Sequence, residues 1–305
     1  MGRVTALVAA MTIAMPALAS AEKPLAMARV TRPKKPVSPP AIKATEEEGE
    51  PCLGILIPPS AGSPFLPGEE LTYELSVAGV TVGKLELKAG KPRMVEGAKA
   101  ESFFGRARTK GLAATLKNFE GRYMAVVEPK LYHPLELRSE TTVGDDPRHE
   151  IARFSRDFRG VSANYRINGK SEERSYARDR PIYDMLTLLY QSRRLDLSPG
   201  TKICQEVYAD KRMWRVDAEV MGVQSLRTPV GVKNALRVKT TWERMPHPDF
   251  DPKKEAPKFE IDMFYTTDAF KAPLAFEART KEITARGDLV RWATADREQE
   301  ASWGF

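Results

Sequence analysis

Along much of the chain apolar and polar residues alternate one by one, the period of a strand with one buried face. Leu71, Tyr73, Leu75 and Val77 alternate with polar partners, and Ala78-Gly79 marks a turn before a second run with Val80, Val82, Leu85 and Leu87. Gly83 inside that run suggests a bulge or a close backbone approach. Further alternating runs are predicted as strands over Tyr123–Val127, Leu135–Thr142, His149–Phe154, Ser162–Ile167, Trp214–Val220, Leu236–Trp242, Phe259–Tyr265 and Leu274–Ile283. Turn chemistry separates them at Gly144-Asp145-Asp146-Pro147, Asn168-Gly169 and Pro229-Val230-Gly231. The fold class that follows is mainly β: a large curved antiparallel sheet or open barrel.

One segment departs from the period of two. Asp179-Arg180-Pro181 reads as a helix start, with Asp179 as the cap. Ile182, Met185, Leu186 and Leu189 then recur at helical spacing until Ser198-Pro199-Gly200. The expectation is one covering α-helix from Pro181 to Leu195, with that apolar face turned to the concave side of the sheet. These four residues are also the candidate ligand-binding positions.

The chain's first 50 residues are of another kind. Arg3 followed by the apolar run Val4–Met15 and the small-residue sites Ala17-Leu18-Ala19 and Ala19-Ser20-Ala21 reads as a signal peptide over residues 1–21. Residues 22–50 carry Pro24, Pro33, Pro36, Pro39 and Pro40 and the acidic run Glu46-Glu47-Glu48, with few large apolar residues. Such a composition cannot offset the entropy of ordering, so the tract is expected to be a disordered linker. Residues 51–305 then form a single β-rich domain, in which Pro246–Pro257 reads as a long hairpin loop. No later run approaches the ~20 apolar residues that a membrane-spanning helix needs. The expected location is periplasmic or secreted.

An oxidising compartment gives the only two cysteines, Cys52 and Cys204, a simple reading as one disulfide. The net charge of +7 is spread, with Lys84-Leu85-Glu86-Leu87-Lys88 typical of the interleaving. A nucleic-acid partner is therefore not expected, whereas a lipid or polysaccharide ligand of the envelope is. His133, His149 and His247 are far apart and show no metal-ligand spacing, and no nucleophile elbow or phosphate loop occurs. No catalytic residue, metal or cofactor is assigned. With 29% charged residues, the terminal Trp303-Gly304-Phe305 does not make a membrane barrel.

The ordered motifs resemble one family of exported bacterial proteins, the domain-of-unknown-function family 3108. The residues that carry the likeness are Pro64-Phe65-Leu66-Pro67-Gly68-Glu69-Glu70-Leu71-Thr72-Tyr73, Gly79-Val80-Thr81-Val82-Gly83 and Tyr183-Asp184-Met185-Leu186-Thr187-Leu188-Leu189-Tyr190. Thr228-Pro229-Val230-Gly231 and Phe264-Tyr265-Thr266-Thr267-Asp268 continue it, so that it spans roughly Pro64 to Leu289. The resemblance implies an antiparallel sheet in the cell envelope and no catalytic residues. Cys52, Cys204 and the approach Pro51-Cys52-Leu53-Gly54 resemble a disulfide-bearing subgroup. The leading expectation is a non-enzymatic protein that binds an amphipathic or polymeric envelope ligand on the concave sheet. The alternatives are a glycan- or lipid-acting hydrolase with dispersed carboxylates, and a structural partner in an envelope assembly; oligomeric state is left open.

Overall fold

A computed structural model describes residues 65–294, apart from 67, 96–97, 230, 247–257 and 281–282. The sequence readings over residues 1–21 and 22–50, Cys52, His247, the interior of the 246–257 loop and the C-terminal aromatics lie outside the described residues.

The order along the chain begins β1 (Glu70–Val77), β2 (Val80–Ala89), β3 (Arg93–Val95), β4 (Ala98–Thr109), α1 (Gly111–Leu116), β5 (Phe119–Val127) and β6 (Pro134–Val143). It continues with β7 (Asp146–Phe154), β8 (Gly160–Ile167), β9 (Lys170–Ala177), β10 (Ile182–Asp184) and α2 (Met185–Ser192). The last strands are β11 (Lys202–Ala209), β12 (Arg212–Thr228), β13 (Gly231–Arg244), β14 (Lys258–Thr266), β15 (Pro273–Arg279) and β16 (Thr284–Ala293). All sixteen belong to one open sheet in the order β10-β11-β12-β13-β14-β15-β16-β1-β2-β4-β5-β6-β7-β8-β9, with β3 paired to β4. The first and last strands of the domain meet in the middle, where Tyr73 stands opposite Leu289.

Neighbours in this order are nearly all neighbours in sequence, and several of them are joined by two-residue turns. Ala78 and Gly79 both take positive φ (49° and 78°), as do Asn168 and Gly169 (49° and 77°). Turns of this hand match the twist of paired strands, and Gly accepts the conformation without a Cβ penalty. Between β15 and β16, Phe276 lies across Gly287, where a Cβ would come within 2.3 Å of the ring. The close approach requires glycine at that position.

The helix is real but shorter and starts later than the sequence suggests. Ile182–Asp184 pair in parallel with Glu206–Tyr208, so the segment expected to open the helix is strand β10. Asp184, not Asp179, is the cap: its Oδ1 accepts from Leu186 N at 2.9 Å and Thr187 N at 3.0 Å, and Oδ2 accepts from the Thr187 hydroxyl. Pairing three backbone groups to β11 outweighs the weak signal of Pro181. The expected run Leu274–Ile283 ends earlier, at Arg279 in β15, and β16 starts beyond it at Thr284. The short helix α1 was not expected.

Helix α2 packs inside the curve of the sheet. Leu186 approaches Gly105 on β4 so closely that a Cβ there would lie 3.1 Å from its Cδ2. Tyr190 stacks on Phe103 at 4.0 Å between ring centres, and Phe65 meets both rings edge-on. At the helix end, the buried Arg193 pairs with the buried Glu69 at 2.5 and 3.2 Å and donates from Nε to Phe270 O at 3.0 Å. Trp292 Nε1 donates to the same carboxylate at 3.1 Å. Removing either partner would leave an uncompensated buried charge.

A divided cavity inside the curved sheet

Helix α2 divides the concave side into two cavities of about 140 Å³ each, and Leu85, Met185 and Leu189 form walls of both. One lies against β11–β15 and is almost wholly apolar, with Leu188, Val216, Val238, Trp242, Ile261 and Phe276 in its lining. The other lies against β2 and β5–β8 and combines Leu87, Leu137, Leu186 and Ile167 with Tyr123, Tyr165, Tyr208, Glu150, Asp210 and Lys211. Strand geometry explains the mixture. Arg148, Glu150, Ala152 and Phe154 share one face of β7, so a charged pair extends the inward row of an otherwise apolar strand.

Glu150 is held at both oxygens. Tyr208 Oη donates to Oε1 at 2.5 Å and Ser139 Oγ donates to Oε2 at 3.3 Å. Burial, then the neighbouring Asp210 charge, push its carboxyl from the ordinary 4.5 up to about 7. Asp210 is itself pushed up to about 6 by burial, which outweighs Arg212, Arg148 and Lys211. The phenols of Tyr123 and Tyr165 are pushed up by burial and by these carboxylates.

Asp210 and Lys211 form the β11–β12 turn with φ of 46° and 61°, left-handed at both positions without a glycine. Asp accepts this region more readily than Lys, so the turn carries strain. Contacts from the opposite end of the sheet hold it. Tyr176 Oη on β9 donates to Lys211 O at 2.5 Å, Lys211 Nζ lies 3.4 Å from Glu172 and stands 4.6 Å over the Tyr165 ring.

Of the sequence candidates, Met185 and Leu189 line both cavities and Leu186 lines the mixed one. Ile182 is fully buried in β10 and lines neither. Cys204 sits half-buried on β11 opposite Asp217. His133 is buried and stacks on Phe158 at 4.2 Å, with burial pushing its pKa down. His149 is exposed, 3.9 Å from Glu140. Glu150, Tyr208 and Asp210 were not singled out from sequence. The phase of Glu150 with Ala152 and Phe154 was the signal available, whereas Asp210 reads as ordinary turn chemistry.

Among the described residues no group of three His, Cys, Asp or Glu side chains is placed to hold a metal ion. No helix among them is long and apolar enough to cross a membrane.

Residues 72–287 match the family described as protein of unknown function, DUF3108. Among solved structures, a β-barrel-like protein of the domain of unknown function DUF1849 from Brucella abortus aligns at 12% identity and TM-score 0.48. That alignment covers 76% of this chain and 99% of that one. A Bacteroides fragilis protein with a YmcC-like fold, described as exported by inference, aligns at 11% identity and TM-score 0.35 over 79% of this chain and all of that one. A protein of Parabacteroides distasonis, described by inference as a lipoprotein, aligns at 10% identity and TM-score 0.34 over 76% and 97% of the two chains. No curated protein matches the sequence.

Proposed function

The chain belongs to the DUF3108 family of proteins of unknown function, and from that premise we propose that it is a non-enzymatic, exported protein of the cell envelope that holds an amphiphile inside its curved sheet. The observation that carries this reading is the pair of mostly apolar cavities on the two sides of α2, with charged groups in only one of them, around Arg148, Glu150, Asp210 and Lys211. Concave, mostly apolar space with a few convergent polar groups is the usual form of a small-molecule site. Met185, with its unbranched and adaptable side chain, stands in the wall between the two. Polysaccharide fits this lining less well than a molecule with an apolar chain.

The composition of residues 1–21 supports export to the periplasm or beyond. In that compartment Cys52 and Cys204 pair as the domain's disulfide, as in the disulfide-bearing subgroup that the sequence resembles.

A second reading, a lipid- or glycan-acting hydrolase, draws on Glu150 and Asp210, two carboxyls with raised pKa beside one cavity. Against it, both oxygens of Glu150 are occupied by Tyr208 and Ser139.

A fluorescence titration with dansylated undecanoic acid tests the proposal. Wild-type protein should take up the probe saturably, and Leu189→Trp, which fills the wall shared by both cavities, should abolish uptake without lowering the melting temperature. Equal uptake by the variant would refute an interior site.

A further inference from the structure

The two ends of the sheet face each other without closing it. Among the described residues no backbone hydrogen bond joins β9 to β11 or β12. At one end the gap is pinned by backbone: Ile182 N on β10 donates to Phe158 O in the β7–β8 turn at 2.8 Å. Phe158 is itself fixed under the His133 ring. At the other end only side chains cross, Tyr176 Oη to Lys211 O, Glu172 to Lys211 Nζ, and Tyr208 Oη to Glu150. The mixed cavity reaches this second end, since Tyr165 and Ile167 on one side and Tyr208, Asp210 and Lys211 on the other belong to its lining.

We propose that this seam, pinned at Phe158 and latched at Lys211, is the portal through which an amphiphile with one long apolar chain enters the cavity sideways, its polar end staying between Glu150, Asp210 and Lys211. The inference rests on the interior-binding reading above and adds the route and the moving element. Side-chain latches open without breaking a strand ladder, whereas any route between two paired strands must break backbone bonds in series. The strained Asp210-Lys211 turn is the natural moving part, because its left-handed backbone is held by contacts that the latch supplies. The chain slides past Tyr165 and Leu137 toward the Met185–Leu189 wall. The polar end stays among the polar groups at the seam and does not enter the apolar lining.

Stopped-flow fluorescence with dansylated undecanoic acid tests the route. Tyr176→Phe removes the phenolic donor to Lys211 O while keeping the half-buried ring, and Glu172→Gln removes the ion pair, both on edge strand β9. If the seam is the portal, the double variant should raise association and dissociation rate constants together by about tenfold, the combined effect of one lost neutral hydrogen bond and one lost exposed ion pair. The Kd should stay within about threefold of wild type, because a gate alters rates and not the end states. Either substitution alone should give part of the acceleration and serves if the double variant folds poorly. Unchanged rates with saturable wild-type uptake would overturn the portal and leave the binding reading standing. Faster dissociation alone, with a weakened Kd, would make the seam a binding contact and also overturn it. Absence of uptake by the wild-type protein would remove the binding reading, and the portal with it.

Discussion

Replacing Glu150 with Gln should make the protein less sensitive to rising pH. Burial and the Asp210 charge raise the Glu150 carboxyl from 4.5 to about 7. Between those values the native state keeps a proton that the unfolded chain has lost. The stability this contributes is full below about pH 4.5 and disappears as pH rises through about 7. At about 1.4 kcal/mol per pKa unit the ceiling is roughly 3 kcal/mol. Glu150 keeps partial contact with solvent, so we take about 1–2 kcal/mol as the realistic loss between about pH 5 and pH 8. Gln retains an oxygen for Tyr208 and an amide for Ser139, so Glu150→Gln should cost little at about pH 5. At about pH 8 it should equal or exceed the wild type. Asp210 titrates with the same sign and loses a like-charged neighbour, which flattens the profile further. Urea denaturation at both pH values measures the difference. A variant that loses as much stability as the wild type over this range, or that is the weaker protein at about pH 8, would refute the argument.

Leu186→Ala, truncating a side chain that packs on Gly105 and also borders a cavity, should cost about 2–3 kcal/mol in urea unfolding, the low half of the range for buried leucines. Gly287→Ala drives a Cβ into the Phe276 ring and should cost about 1–3 kcal/mol, with a matching fall in melting temperature. Arg193→Met strands the Glu69 carboxylate and should cost about 3–5 kcal/mol, while adding Glu69→Gln should recover much of that loss. Peptide mapping without reductant should join the Cys52 and Cys204 peptides, and Cys204→Ser should then cost about 2–4 kcal/mol; two free thiols in exported protein would dismiss the bridge.

Where one face of a strand is buried and the other wet, the sequence is transparent. β1 and β8 were readable because Leu71, Tyr73, Leu75 and Val77, and Val161, Ala163, Tyr165 and Ile167, keep a strict period of two. Lys170–Ala177 was not, because an edge strand is held by backbone pairing to β8 and carries almost no apolar residues. Ala98–Thr109 was hidden for the opposite reason: Ala100 and Ser102 are buried on one phase and Phe103 and Ala107 on the other, so the period is lost. Two Asp residues five apart could each cap the helix. The choice of Asp184 depends on β11, nearly twenty residues later, supplying a partner for Ile182–Asp184. The candidate site divides in the same way. Its apolar wall of Met185, Leu186 and Leu189 follows from helical spacing, whereas its polar mouth depends on a turn from β11–β12 meeting β7 and β9 across the seam.

The central claim is that the interior of the curved sheet holds an amphiphile, and native mass spectrometry of the protein isolated from the envelope of its own host tests it most directly. The account predicts a complex heavier than the polypeptide by the mass of one small amphiphile, recovered by organic extraction and absent from Leu189→Trp. A wild-type spectrum with the polypeptide mass alone, or an adduct retained unchanged by Leu189→Trp, would contradict it.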